Sequence, residues 1–505
     1  MTEGIATSSL GRLARGLADG LSDRAIVEAA LSRPDGDAEG EAVMSAVAQI
    51  LTALDNSMSN REIDDVLGRG TGPMHALSER VAAIYGAERA VLTQQGSSQI
   101  NVTMAMALRA VVGRDFRVLV DRGCHISVSG GLALAQVRDV VWLDQAYDEG
   151  IGLRKPLSPD ELDRSLASAG PVDAIMLTMP SYDGFVVEDI ARLRTVCDQH
   201  NCRLIVDSAW GAFHGLLQGG GFPPTIARHA HATTISLHKK GLACSGSSAA
   251  LFNDEVLAHA FMRFCDLGLV STSPPFLLFS VLEQGLDAWQ SAPGQEMACR
   301  MVVESQQFAA ALDKIPGLRV VRAQDLGPGL VADPSHILVD VRKTGLLGYE
   351  ILEVLSGRYA TDAEKATLTS LLFLFGPGHI ENWPRIVDAL LEIVSAGGRN
   401  ARTINMPSPP AAPGQVVMPM HAALYAPLEK ALPEEAIGRI AAQPVAAYPP
   451  GAAILQPGER ITREAVDYLM AMQDAGSRLK GVAGPIRDVG LTVVADATTF
   501  TERAE

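Results

Sequence analysis

The stretch that decides the fold is Ala232-Thr233-Thr234-Ile235-Ser236-Leu237-His238-Lys239-Lys240-Gly241. Its first four residues are rich in β-branched side chains, which predicts a short strand that ends near Ser236. An amine, that of Lys239, therefore follows a strand end. Burial lowers the pKa of a lysine ammonium, so that the amine can attack a carbonyl group. The competing interpretation is a solvated loop lysine, because Ser-x-His-Lys also occurs by chance.

Composition indicates a large globular protein. The chain has 505 residues, of which 47% are hydrophobic, enough for about two to four folding units. A net charge of -16 opposes binding to a nucleic acid backbone, and Lys/Arg runs with interleaved aromatic residues are missing from the sequence. We therefore expect no nucleic acid partner.

Cysteine spacing and hydropathy indicate where in the cell the protein is found and which kinds of site it lacks. The six cysteines include no Cys-x-x-Cys pair, so we expect reduced thiols and neither a metal site nor a disulfide framework. Residues 1–30 lack an apolar signal region, and no uncharged apolar run reaches the length of about 18 residues that a membrane helix needs. The sequence thus predicts a cytoplasmic enzyme that does not enter a membrane.

Strand-like and helix-like segments alternate upstream of Lys239, which predicts an α/β fold with a mostly parallel sheet. In such sheets, ligands bind at the carboxyl ends of the strands. The predicted strands are 90–93, 117–121, 140–143, 174–177 and 204–206, and the predicted helices include 10–31, 41–55, 75–85 and 102–112.

Three of these strand ends carry polar residues of a kind that suits a phosphorylated cofactor. Gly96, Ser97 and Ser98 lie between a strand and a helix, where hydroxyls and free N–H groups can bind an anion. The same residues could instead form an ordinary helix N-cap without any ligand. His125 follows the next strand and can stack on a planar ring, while a lone histidine is more often structural.

Asp207 follows the strand 204–206 and precedes Lys239 by 32 residues. A carboxylate there can pair with the pyridinium nitrogen of pyridoxal phosphate (PLP) and keep it protonated, so that the ring acts as an electron sink. A helix-capping aspartate is the alternative. Together, Lys239, Asp207 and the turn at Ser97 and Ser98 indicate a PLP site.

In order along the chain, six motifs resemble those of the bacterial ornithine/lysine/arginine decarboxylase family, which are fold-type-I PLP enzymes. The motifs are Gly96-Ser97-Ser98 with Asn101, Asp121-Arg122-Gly123-Cys124-His125, Pro180-Ser181-Tyr182-Asp183-Gly184, Asp207-Ser208-Ala209-Trp210, Ser236-Leu237-His238-Lys239 and Ser271-Thr272-Ser273-Pro274. The segment from Glu435 to Glu459 looks like the family's C-terminal domain, so the resemblance spans roughly residues 60–485.

The resemblance implies a role for each site residue. Lys239 would form the Schiff base with PLP, Asp207 would bind the ring nitrogen, and His125 and Ala209 would cover the two ring faces. The phosphate would be bound by the remaining set: Gly96, Ser97, Ser98, Ser236 and His238. The active site would form at the interface of a homodimer or a higher homo-oligomer, where Thr272 would reach the phosphate of the partner subunit.

The family also implies a domain order. We expect a PLP-dependent transferase-like (fold type I) domain with a mostly parallel seven-stranded sheet at 61–300, after an N-terminal helical segment at 1–60. A smaller α/β domain would occupy 301–400, and a proline-rich linker 401–419 would lead to a separate C-terminal decarboxylase-type domain at 420–505.

The predicted activity is decarboxylation of a basic amino acid, namely arginine, lysine or ornithine. Three departures from the family pattern keep alternatives open. Leu237 stands where the family usually has Thr, and Lys240 follows Lys239 where an apolar residue is usual. The N-terminal His-Thr-Pro-Gly-His-Lys signature of shorter family members is missing from 1–75. The alternatives are an aminotransferase, a specialised cyclase or eliminating enzyme, and a relative without activity. Asp183, Glu435 and Glu459 are candidate acids for the substrate's cation.

Overall fold

A computed structural model describes residues 69–70, 72–143, 145–217, 221–240, 243–271, 276–397, 407–410, 414–448 and 452–495. Three predictions therefore lie outside the described residues: the helices at 10–31 and 41–55, the boundary at residue 60, and the role of Thr272.

The first part of the chain alternates strands and helices. In chain order its elements are α1 (Pro73–Tyr85), β1 (Arg89–Thr93), α2 (Gly96–Val112), β2 (Arg117–Val120), α3 (Ile126–Leu134), β3 (Asp139–Trp142), β4 (Tyr147–Asp148), β5 (Leu153–Arg154), α4 (Pro159–Ala169), β6 (Ala174–Thr178), β7 (Phe185–Val187), α5 (Ile190–Gln199), β8 (Arg203–Asp207), α6 (Ala212–Leu216), β9 (Ala232–Ser236), β10 (Ser248–Phe252) and α7 (Glu255–Phe264).

Seven of these strands form one sheet in the order β1-β10-β9-β8-β6-β2-β3. The pairs from β9 through β8, β6 and β2 to β3 are parallel, whereas β10 runs antiparallel to both of its neighbours. The prediction of a mostly parallel seven-stranded sheet is thus confirmed. Its central strands are apolar almost throughout because helices cover both faces, as in β6 with Ala-Ile-Met-Leu-Thr.

Strand register brings the functional segments to one edge of the sheet. Thr178 of β6 pairs with Asp207 of β8, which in turn pairs with Thr234 of β9. The carboxyl ends of these parallel strands are therefore level with each other. The four-residue 3-10 turn Leu237–Lys240 continues directly from β9 at the same edge.

A second group of elements follows and forms a four-stranded antiparallel sheet in the order β11-β13-β15-β14. Its elements are α8 (Phe276–Gln290), α9 (Ala292–Leu312), β11 (Arg319–Val320), α10 (Ala323–Leu326), β12 (Leu330–Ala332), β13 (His336–Asp340), α11 (Gly348–Tyr359), β14 (Lys365–Ala366), β15 (Ser370–Leu374) and α12 (Trp383–Gly397). One apolar core runs from α1 to α12, so this smaller α/β unit is packed on the first.

The last group has its own apolar core, around Val466, Leu469 and Leu491. Its elements are α13 (Met420–Tyr425), β16 (Leu428–Ala431), α14 (Pro433–Ala436), β17 (Val445–Tyr448), β18 (Ala453–Leu455), α15 (Arg463–Asp474), β19 (Arg478–Lys480), α16 (Ile486–Val489) and β20 (Leu491–Val494). Apart from Leu368 of the preceding unit, the buried residues of this core all lie within 431–493, as expected for the C-terminal domain that the sequence predicted.

Candidate active site

A cavity of about 420 Å³ lies at the carboxyl edge of the seven-stranded sheet. Its walls include eight of the residues predicted for the site: Gly96, Ser97, Ser98, His125, Asp207, Ala209, His238 and Lys239. Ser236 adjoins this wall, because its hydroxyl donates to the Oγ atom of Ser97 at 2.7 Å. The fold therefore gathers residues from positions 96 to 239 around one space.

The carboxylate of Asp207 is held at both oxygens. Its Oδ2 atom accepts a hydrogen bond from Nδ2 of Asn101 at 2.8 Å, and its Oδ1 atom accepts one from the backbone N–H of Ala209 at 3.0 Å. Asn101 is buried in α2, one turn beyond the seryl residues. These two donors fix the orientation of a buried acid at the cavity wall.

The amine of Lys239 lies against an aromatic ring. Its Nζ atom is 4.3 Å from the ring centroid of Trp210, which also lines the cavity. Burial lowers the pKa of Lys239, and the carboxylates of Asp207 and Glu364 oppose that shift. A lysine in this position loses its proton more readily than a solvated one and is correspondingly more nucleophilic.

The protonation of His125 follows from its hydrogen bonds. Nδ1 accepts from the backbone N–H of Ser127 at 3.2 Å and lies 2.8 Å from the Ser127 hydroxyl. That hydroxyl accepts from Nδ2 of Asn101 at 3.0 Å, so its own proton points to Nδ1. The neutral ring therefore carries its proton on Nε2, and burial favours this neutral form by lowering the pKa of His125.

The seryl end of the cavity differs from the prediction in one detail. The helix α2 begins at Gly96, several residues before the predicted start, so Ser97 and Ser98 belong to its first turn. Backbone N–H groups in a first helical turn have no intrahelical acceptors and favour an anion. His238 donates from Nδ1 to the carbonyl of Ser247 at 2.9 Å, so only a protonated Nε2 could donate to a phosphate.

Of the two neighbouring lysines, only Lys239 lines the cavity. Lys240 is buried elsewhere, with Nζ 3.4 Å from Oδ2 of Asp333 and 3.2 Å from Nδ1 of His336. The two side chains thus have different surroundings, although they are adjacent in sequence.

Among the three acids considered for a substrate cation, only Asp183 lines the cavity, and it already forms a buried ion pair with Lys365. Glu459 is bound by the guanidinium of Arg122. Glu435 is exposed and accepts a hydrogen bond from the backbone N–H of Leu432 at the start of α14. The structure does not place these last two at the cavity.

Sequence reasoning missed a large part of the cavity wall. The C-terminal domain supplies Ala447, Ala452, Ile454, Tyr468 and Met472, and the region between β3 and α4 supplies Gln145, Tyr147, Arg154 and Lys155. These residues have no distinctive spacing, so no local signal could have identified them. Within the described ranges there is no group of three or more side chains suited to a metal ion, and no helix is long and apolar enough to cross a membrane.

Comparison with known proteins identifies the family of this chain. Residues 47–336 match the model of the Orn/Lys/Arg decarboxylase major domain, and residues 426–497 match the C-terminal domain of the same family. The arginine decarboxylase of Bacillus subtilis is 26% identical over 442 residues, which is 85% of this chain and 87% of that protein. The constitutive lysine decarboxylase of Escherichia coli is 24% identical over 527 residues, covering 85% and 72%.

A solved structure shows the same fold. Lysine decarboxylase A from Pseudomonas aeruginosa superposes with a TM-score of 0.72 and 19% identity, over 96% of this chain and 80% of that one. The expectations of family and fold class are both confirmed. The chain belongs to the Orn/Lys/Arg decarboxylase family, and it is accordingly an amino acid decarboxylase, a carboxy-lyase for basic amino acids.

Proposed function

We propose that the protein is a PLP-dependent decarboxylase of arginine, lysine or ornithine and that Lys239 holds the cofactor. One observation carries the proposal: the amine of Lys239 and the carboxylate of Asp207 line the same cavity of about 420 Å³. That volume lies within the range of about 300–1,000 Å³ that small-molecule sites occupy.

The residues present fit PLP. A buried carboxylate fixed at both oxygens suits a protonated ring nitrogen, and it lies beside an amine whose pKa is lowered by burial. Ser97, Ser98 and the first turn of α2, which begins at Gly96, offer donors to a phosphate. Ser236 donates to the Oγ atom of Ser97, so the proton of the Ser97 hydroxyl remains available for the phosphate. His125 and the small Ala209 both line the cavity and would cover the two faces of the ring.

The cofactor, when bound, supplies an electron sink for the pair of electrons left by departing carbon dioxide. Asp207, held by Asn101 and the backbone N–H of Ala209, would bind the ring nitrogen. Lys239 lines the cavity with a pKa lowered by burial, so its amine could accept or donate a proton there. His125 presents the Nε2–H donor that its bonds to Ser127 enforce. Either Lys239 or His125 can then return a proton to the α-carbon of the product amine.

Arginine is the first substrate to test, because relatives over 78–85% of this chain are named arginine decarboxylase. Purified protein is incubated with PLP and with arginine, lysine or ornithine in turn, and carbon dioxide and the amine are measured. We expect release of carbon dioxide from at least one of the three, an amine that retains the α-hydrogen, and an absorption band of bound cofactor.

Lys239→Ala should abolish that band and the activity, whereas Lys314→Ala, at an exposed lysine of the second unit, should change neither. Exchange of the α-hydrogen without loss of carbon dioxide would point instead to an aminotransferase or a specialised cyclase or eliminating enzyme. Absence of any cofactor band after added PLP would contradict the proposal as a whole.

Two further features remain proposals. We place the active site at the interface of a homodimer, in which Thr272 would bind the partner subunit's phosphate, and sedimentation of the holoenzyme tests the oligomeric state. We also keep domain boundaries near residues 300 and 420: the strands of the four-stranded sheet fall within 319–374, and those of the C-terminal domain within 428–494.

A further inference from the structure

A cluster of buried ionisable groups lies beside Trp210 and outside the cavity wall. Lys240 contacts Asp333, Ser335 and His336 through its ammonium group. The same carboxylate accepts from Nε2 of His214 at 2.9 Å. The side chains of Lys240 and Asp333 are 4% and 0% exposed, so this ion pair is shielded from water.

Three separate segments meet in the cluster. Lys240 ends the turn after β9, and His214 lies in α6, shortly after the end of β8. Asp333 and His336 come from the connection between β12 and β13 and from the start of β13. The cluster therefore ties the turn that carries Lys239 to the smaller α/β unit.

The cluster also touches the residue that supports the Lys239 amine. The ring of His336 contacts the indole of Trp210 edge-on, with centroids 5.4 Å apart. Nζ of Lys239 is 4.3 Å from the same indole centroid, whereas Nζ of Lys240 is 5.8 Å from it. Both amines are therefore near one ring, but only Lys239 opens to the cavity.

The protonation state does not explain why one lysine and not the other would bind the cofactor, because burial lowers the pKa of both. The two lysines differ instead in the side chains that their amines contact. Lys240 has a carboxylate, a hydroxyl and an imidazole in contact, and an ammonium group in such surroundings would lose all of them by turning into the cavity. Within the part of the chain that the structure describes, Lys239 has no comparable set of partners: its amine lies over the ring of Trp210 and lines the same cavity as Asp207.

We propose that Asp333 and Lys240 form a lock that selects the cofactor-bearing lysine: by holding Lys240 in the buried cluster, Asp333 leaves Lys239 as the one amine of this pair that can reach the cofactor aldehyde. Lys240 and Asp333 are thus positioning residues. The proposal rests on the proposed function, because it assumes that PLP occupies the cavity.

The test is to locate the trapped cofactor. Condensation of a lysine amine with the aldehyde releases water and leaves a C=N bond, which hydride from borohydride reduces to a stable secondary amine. Holoenzyme reduced in this way is digested and mapped by mass spectrometry. In the unaltered protein we expect the label at residue 239 and none at residue 240; a label at neither would contradict the proposed function and not the lock.

Lys239→Ala examines the lock with the cluster intact. We expect loss of the label at 239 with none appearing at 240, and a label at 240 in this variant overturns the proposal. In Lys239→Ala with Asp333→Asn, the charge that holds Lys240 is gone, so a label at 240 should appear. The control combines Lys239→Ala with Asp388→Asn, at an exposed position of α12, and should leave residue 240 unlabelled.

In the single variant Asp333→Asn both lysines are present and Lys240 is released, so the label should be found on both residue 239 and residue 240. Circular dichroism and retention of added PLP show whether each variant is folded. A folded double variant that binds PLP yet stays unlabelled at 240 would show that Asp333 is not the lock.

Discussion

At the scale of single residues, Asp207 has the charge on which the proposed chemistry depends. Asp207→Asn keeps the size of the side chain and removes the negative charge beside the ring nitrogen. We expect kcat to fall by about 10²-fold or more, which is the usual effect of removing one preorganised electrostatic partner. Steady-state kinetics measure the loss, and the cofactor should stay attached because Lys239 is unchanged.

Asp163→Asn is the control, because that aspartate is exposed and pairs with His200 far from the cavity. An Asp207→Asn enzyme with unaltered kcat would show that the carboxylate does not act on the ring nitrogen.

Ser127 supports the neutral form of His125 through its hydroxyl and its backbone N–H, of which a substitution can remove only the hydroxyl. Ser127→Ala removes the donor that lies 2.8 Å from Nδ1, so the neutral form loses support and the pKa of His125 should rise. In a plot of kcat/KM against pH, the change in rate caused by the titration of His125 should then occur at higher pH. Ser127→Thr retains a hydroxyl and should restore the original profile; an identical profile for the alanine variant would exclude the hydrogen-bond chain.

Sequence reasoning singled out Lys239, His125 and Asp207, which the structure places at one cavity, because each lies at or shortly after a strand end and strand ends can be recognised locally. It could not find the roles of Asn101 and Ser127. Asn101 reaches Asp207, which is 106 residues away in the chain, so the contact exists only after the sheet has formed. Likewise, the sequence favoured Lys239 over Lys240 through the His-Lys order alone, and the contact of Lys240 with Asp333 could not be predicted from it.

At the scale of elements, one ion pair attaches the C-terminal domain to the segment that carries His125. Arg122 donates to both carboxylate oxygens of Glu459, at 2.6 and 3.1 Å, and to the carbonyl of Ile454 at 2.8 Å. The two charged side chains are 6% and 1% exposed. Glu459→Gln would leave the guanidinium buried without its counter-ion and should destabilise the fold by about 3–5 kcal/mol.

The shift of the urea unfolding midpoint measures that loss. Glu434→Gln breaks a pair with Arg463 that lies on the surface of the same domain, and it should leave the midpoint unchanged. Equal shifts for the two variants would mean that burial of the Arg122 pair contributes nothing.

Element prediction succeeded where strands were rich in β-branched or long apolar residues. It missed β10, since the run from Ala243 to Ala250 is made of small residues and shows no strand pattern. That strand is specified by its partners: it lies between β1 and β9 and pairs antiparallel with both. Small side chains fit there because α2 and α7 pack closely over this part of the sheet.

At the scale of the whole molecule, acid should unfold the protein through buried neutral histidines. Burial lowers the pKa of His336 to about 4, whereas an unfolded histidine titrates near 6.5. Between these values the unfolded chain binds a proton that the folded chain refuses, so stability falls as pH drops from 6.5 to about 4, by about 3 kcal/mol at most. Above pH 6.5 this group contributes no slope.

Unfolding midpoints measured from pH 7 to pH 4 test this expectation. His336→Gln should flatten the dependence, although burial lowers the pKa of His125, His229 and His231 as well and leaves part of the slope. His259→Gln, at an exposed histidine of α7, should keep the full slope. An unchanged slope in His336→Gln would contradict the role of that residue.

The wall of the cavity is drawn from positions as far apart as Gly96 and Met472. A ribosome completes the seven-stranded sheet and the Lys239 turn long before it makes β17, β18 and α15, and segments fold broadly in the order of their synthesis. A nascent chain thus presents an open cleft in which an aldehyde would meet bulk water on one side. Under the proposed function, retention of the cofactor would therefore depend on the C-terminal residues that complete the cavity wall, such as Tyr468 and Met472.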